Sequence, residues 1–129
     1  MEAKTARLLF TIGALFNFGA VLLFMPALGI AERLGIGPAP TGTIFEDIGI
    51  AAIFVFGVGY WLAAQALEEY RGFIKVGILS KFVIVALVVA HYLAGNASLL
   101  LTLAISGDLI FAALFISYLR STSPAAQLD

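Results

Sequence analysis

Four long apolar stretches, set apart by short polar punctuation, dominate the chain: residues 6–26, 46–67, 72–93 and 97–119. The hydrocarbon core of a bilayer is about 30 Å thick and takes about 20 helical residues to cross, so each stretch predicts a transmembrane helix. Only Glu68-Glu69-Tyr70-Arg71 separates the second stretch from the third, and only Ala94-Gly95-Asn96 the third from the fourth. Turns this short force each helix to run antiparallel to and beside its predecessor. The pattern therefore predicts an all-α polytopic membrane protein, a single domain over residues 1–129 built as an antiparallel four-transmembrane-helix bundle.

The one long connection, residues 27–45, carries Leu28, Ala31 and Leu34 at helical spacing between Pro26 and a Gly/Pro cluster, which predicts a short amphipathic helix at the membrane surface. Glu32 and Arg33 read as the solvated flank of that helix. Thr43-Ile44-Phe45-Glu46 then matches a capping box, and Asp47 also suits a helix N-terminus. A sharper reading makes Glu46 and Asp47 an acidic extracytoplasmic mouth that concentrates cations.

Composition agrees with the pattern: 62% of residues are hydrophobic, 12% are charged, and the mean hydropathy is +1.08. A net charge of -1 offers no field for nucleic acid, so the placement of charge matters more than its total. Lys4, Arg7, Arg71, Lys75 and Arg120 fall on one side of the predicted membrane and Arg33 alone on the other, which puts both termini in the cytoplasm. Lys4 and Arg7 before an apolar run resemble the start of a signal peptide. The run is longer than an ordinary signal core and lacks a clear small-x-small cleavage site, so it reads as a retained helix. Trp61, Tyr60, Tyr70 and Tyr118 then fall toward the cytoplasmic face and Tyr92 toward the other, as headgroup anchors.

Motifs with chemistry are sparse. There are no cysteines and one histidine, His91, which excludes thiol chemistry, Cys-ligated metals, bis-His haem and multi-histidine metal sites. No phosphate-binding loop, dinucleotide fingerprint or nucleophile elbow is present. No resident cofactor or metal is expected; a bound lipid or quinone is the non-protein component that a bundle rich in phenylalanine would accept. Ala52, Gly57, Gly59 and Ala63 give the second helix a small-residue surface, suited to close packing or to leaving a thin cavity at midplane.

Lys81 and Asp108 stand apart from this apolar background. At 1.5 Å per residue Lys81 lies about 15 Å along its helix from Arg71, and Asp108 about 18 Å from Arg120, so the two share a depth near midplane. Asn17 reaches the same depth on the first helix. One charge at the centre of a membrane helix costs about 2.5 to 3.5 kcal/mol on insertion scales, so an ion pair, with Asn17 as a hydrogen-bond partner, is the expected arrangement. Gly77 and Ala104, a turn away on the same faces, suit a close approach of the two helices. Three roles are open to the pair: a buried register lock, a proton or ion relay, and a clamp for the polar head of a lipid-like ligand.

The stretches FGVGYWLAAQALEEYRGFIKVGILSKFVIV and SGDLIFAALFISYLR resemble small four-helix bacterial membrane proteins of the loosely DoxX-like kind, through Gly57, Gly59, Tyr60, Arg71, Gly72, Gly77, Lys81, Gly107 and Asp108. The resemblance covers helices two to four and implies a bacterial cytoplasmic membrane, without implying a reaction. The expectation is a non-enzymatic ligand-binding, transport-related or accessory subunit, in contact with membrane lipids and part of a homo-oligomer or larger complex. The alternatives are a membrane enzyme or carrier for a lipid-soluble quinone, isoprenoid or lipid, with Asp108 as acid or base, and a structural partner in a larger assembly.

Overall fold

The computed structural model describes residues 1–36 and 43–123; the Gly/Pro cluster of the long loop, Gly37 included, lies outside the described residues. The elements are α1 (Ala3–Phe24), a 3-10 turn (Pro26–Leu28), α2 (Ile30–Arg33), α3 (Ile44–Gln65), α4 (Arg71–Leu93), α5 (Leu99–Ser106) and α6 (Asp108–Ser121). Helices α1, α3, α4 and the α5–α6 run Leu99–Ser121 are long and apolar enough to cross a membrane, so the chain is a multi-pass helical bundle as its hydrophobic pattern predicts. At most 33% of any spanning window is buried inside the protein, and the outward faces carry Leu15, Val55, Leu79 and Ile110, the surface a bilayer covers.

Local chemistry accounts for the helix ends. The Glu46 amide donates to Thr43 Oγ1 at 3.4 Å and the Thr43 amide to Glu46 Oε2 at 3.1 Å, the capping box expected at the start of α3. Gly95, at φ 78°, turns the chain after α4 in a conformation that favours glycine. Ser98 caps α5 by accepting from the Leu101 amide at 3.1 Å, and its hydroxyl donates to the Ile36 carbonyl, tying the loop to α5. The expected amphipathic helix of the loop is a single turn: Ala31 is buried, while Leu28 and Leu34 are exposed.

The fourth span departs from an unbroken helix. Around Gly107 the ladder tightens to three-residue steps, from the Gly107 amide to the Ala104 carbonyl at 3.4 Å and from the Ile110 amide to the Gly107 carbonyl at 3.1 Å. This marks the junction of α5 and α6 and places Asp108 in the first turn of α6.

Helix α1 packs antiparallel on α3, and α4 on α5 and α6. The two pairs join through aromatic residues: Phe10 meets Phe115 with ring centroids 4.6 Å apart and Tyr118 at 5.4 Å. Phe10, Tyr60, Ile74, Phe115 and Tyr118 are each under 2% exposed, and all five lie in the half of the bundle nearer the start of α1 and the end of α6. Two features depart from what the sequence predicts. Tyr60 and Tyr118 are core residues rather than headgroup anchors, whereas Trp61 and Tyr92 are exposed. Helices α3 and α4 are antiparallel neighbours, but the contacts between them fall in the half next to their short turn, where Phe73 sits between Phe56 and Tyr60 at 5.5 Å from each and against Gly59. A short turn fixes only the proximal ends of a helical hairpin. The distal half of α3 packs on α1, leaving space between α3 and α4.

Candidate functional site: a buried ion pair beside a hollow

The space between α3 and α4 ends at the Lys81–Asp108 pair. Lys81, 3% exposed, donates through Nζ to Asp108 Oδ1, as their shared depth predicts. The Asp108 carboxylate sits at the N-terminal end of α6, where the helix dipole favours an anion. Four aromatic rings surround the ammonium, with centroids 5.2 Å (Tyr60), 5.3 Å (Phe111), 5.8 Å (Phe115) and 5.9 Å (Phe16) from Nζ. One carboxylate and four ring faces thus compensate a charge that is almost wholly withdrawn from solvent. The only trace of this cage in the sequence is the spacing of Asp108, Phe111 and Phe115 at i, i+3 and i+7, which puts them on one face of a helix.

Asn17 is buried at the same depth but does not join the pair. Its Nδ2 donates to the Ile53 carbonyl at 3.1 Å, fastening α1 to α3. The expected close approach at Gly77 also has a different partner: Gly77 receives Tyr60 of α3, and Ala104 is exposed.

Asn17, Ser80, Tyr60, Lys81 and Asp108 all border a hollow of about 330 Å³ whose other walls include Phe16, Phe56 and Ile84. Ala52 and Gly49 line it as well, so the small residues of α3 serve both expected purposes: Gly57, Gly59 and Ala63 pack, and Ala52 leaves room. A second hollow of about 450 Å³ lies toward the loop end and shares Gly49, Ile53 and Ile84 with the first. Glu46 borders this outer hollow, whereas Asp47 borders a separate one between α1 and α3, so the two acidic side chains do not line one mouth.

A second polar cluster joins α4 to the end of α6. Arg71 donates through Nη2 to the Leu119 carbonyl at 3.2 Å and through Nη1 to Thr122 Oγ1, and its guanidinium lies 3.7 Å from Glu68 Oε1. The Tyr118 hydroxyl donates to the same Glu68 oxygen at 3.4 Å. In the sequence Arg71 reads only as a topogenic charge, because nothing local reveals that a distant helix terminus lies opposite it.

The site holds a proton donor, a carboxylate, a hydroxyl and an amide around an apolar space, which suits hydrogen bonding to the head of an amphipathic molecule. Among the described residues no three His, Cys, Asp or Glu side chains are grouped to hold a metal ion. Comparison of the chain with protein-family models, with curated proteins and with solved structures finds no match. The class defined by the architecture is a multi-pass membrane protein of four apolar spans.

Proposed function

We propose that this is a non-enzymatic protein of the bacterial cytoplasmic membrane that binds a lipid-soluble molecule between α3 and α4, with the polar head of that molecule on Lys81 and Asp108. The observation that carries this reading is that the ion pair borders a hollow. A register lock is most stable when packing closes around it, because any gap forfeits contacts and leaves polar atoms to be hydrated. Here the Asp108 side chain keeps 16% of its surface, and Ser80 and Asn17 share its wall. The ammonium has protons beyond the one shared with Asp108, and the carboxylate has a second oxygen, so a carbonyl or hydroxyl head finds both a donor and an acceptor. The apolar path past Ile53 and Ile84 accommodates a quinone, isoprenoid or acyl tail.

The excess of Lys and Arg at the end where α1 begins and α6 finishes supports a cytoplasmic location for that end, with the outer hollow on the opposite side. The bacterial cytoplasmic membrane is the one that the resemblance of helices two to four to DoxX-like proteins would imply. In this reading the protein acts as a ligand-carrying or accessory subunit, in a homo-oligomer or with a larger partner.

Gly49 offers a test, since a Cβ there would meet nothing within 4 Å and the residue borders both hollows. Gly49→Phe should fold and fill the gap. Organic extraction of the purified parent protein followed by mass spectrometry should yield one enriched lipophilic species, and Gly49→Phe should deplete it. Equal content in the two proteins, or only the bulk lipid mixture in both, would contradict the proposal.

A further inference from the structure

At the end of the bundle where α1 begins and α6 finishes, Arg71 and Lys75 of α4 and Arg120 of α6 border a hollow of about 420 Å³ whose remaining described walls are Ile116, Leu119 and Ser123. Among the described residues no carboxylate lines it. Glu68 is already engaged with Arg71 at 3.7 Å and by the Tyr118 hydroxyl. Converging cations repel one another unless an anion joins them, and like charges at i, i+4 on one helix, such as Arg71 and Lys75, are unfavourable by themselves. Arg71 is nevertheless held in place, because its guanidinium donates to the Leu119 carbonyl and to Thr122. One fixed and two adjustable cations thus surround a space with an apolar flank.

We infer that this hollow binds a phosphate-bearing anion, either the headgroup of an anionic phospholipid or a free phosphate. The phosphate sits among Arg71, Lys75 and Arg120, and Ile116 and Leu119 offer the apolar surface along which a lipid's first carbons would lie. Basic pockets between membrane helices at the cytoplasmic side recognise anionic headgroups by this combination. The site lies at the opposite end of α4 from the outer hollow, and it does not depend on what occupies the space at Lys81.

Native mass spectrometry of the delipidated, detergent-solubilised protein tests the inference, with phosphatidylglycerol, phosphatidylcholine and inorganic phosphate as probes. The parent should retain phosphatidylglycerol in preference to phosphatidylcholine. Lys75→Gln with Arg120→Gln should reduce that preference by roughly 30-fold, about a factor of five for each basic side chain near the headgroup. Arg71 is left intact because it holds α4 to α6. Lys4→Gln with Arg7→Gln, which removes two cations at the same end but outside the hollow, should leave the preference in place. Competition by millimolar phosphate identifies free phosphate as a sufficient ligand, and its failure to compete identifies the lipid; both outcomes uphold the site. No preference in the parent, an unchanged preference in the Lys75/Arg120 variant, or an equal loss in the Lys4/Arg7 variant would overturn it.

Discussion

The Tyr60 ring of α3 lies so close over Gly77 of α4 that a Cβ at residue 77 would stand 2.6 Å from the Tyr60 hydroxyl oxygen. The same ring forms one face of the cage around Lys81, with its centroid 5.2 Å from Nζ. One contact therefore sets both where α3 and α4 begin to part and how the buried ammonium is covered. Tyr60 is 1% exposed and packed against Phe73 at 5.5 Å and Phe115 at 5.1 Å, so it yields only by disturbing those rings or by turning into the hollow it borders. Gly77→Ala should destabilise the protein by about 1 to 3 kcal/mol through overpacking. Gly49→Ala meets only open space, and should be neutral or stabilising by up to about 1 kcal/mol from helix propensity. Thermal unfolding of the two variants in detergent makes the comparison.

Arg71 closes the end of α6 from a distant point in the chain. Removing it as Arg71→Ala should lower stability by about 1.5 to 3 kcal/mol, the range for hydrogen bonds made by a charged group. Arg71→Lys should recover less than half of the loss, because an ammonium does not span the Leu119 carbonyl and Thr122 as a planar guanidinium does. Hydrogen exchange should show the loss as faster exchange in the last turn of α6, with α1 unaffected.

Much of this architecture was legible in the sequence because the bilayer imposes a length scale. The four predicted spans agree with the helices to within about three residues at their ends, and the capping box of Thr43 and Glu46 forms as its spacing indicates. Depth arithmetic also paired Lys81 with Asp108, since two unpaired charges at midplane are too costly to leave apart. Lateral placement was not legible. A count along the helix axis says how deep Asn17 lies, but not that it turns to the Ile53 carbonyl. The same limit hid the roles of Tyr60 and Tyr118, whose positions near helix ends suit a headgroup belt and a core equally well. The tight turn at Gly107 was hidden too, because glycine is common in uninterrupted membrane helices.

The proposed orientation predicts that a cysteine introduced at Ala94, an exposed residue in the turn after α4, reacts with an impermeant thiol reagent in intact cells. Tags at either terminus should resist protease in intact spheroplasts. Labelling at residue 94 only after permeabilisation would reverse the assignment made from the Lys and Arg bias.

Breaking the central pair on one side strands the other charge. Lys81→Met or Asp108→Asn should each cost about 3 to 5 kcal/mol, as for buried ion pairs in general. Lys81 is 3% exposed, so a lone ammonium there would be poorly solvated. Replacing both residues together, as Lys81→Met with Asp108→Leu, should restore most of the lost stability. Additive losses in a double-mutant cycle would show that the two side chains do not act as a pair.

That stable double apolar variant gives the most direct measurement of whether the pair exists for a ligand: the amount of lipophilic molecule extracted per mole of folded protein, compared with the parent. A ligand clamp predicts that the variant folds and comes away with the enriched species lost, because the packing survives while the donor and acceptor for the polar head are gone. An enriched species held in equal amount by parent and variant would contradict the account and leave Lys81 and Asp108 as a register lock.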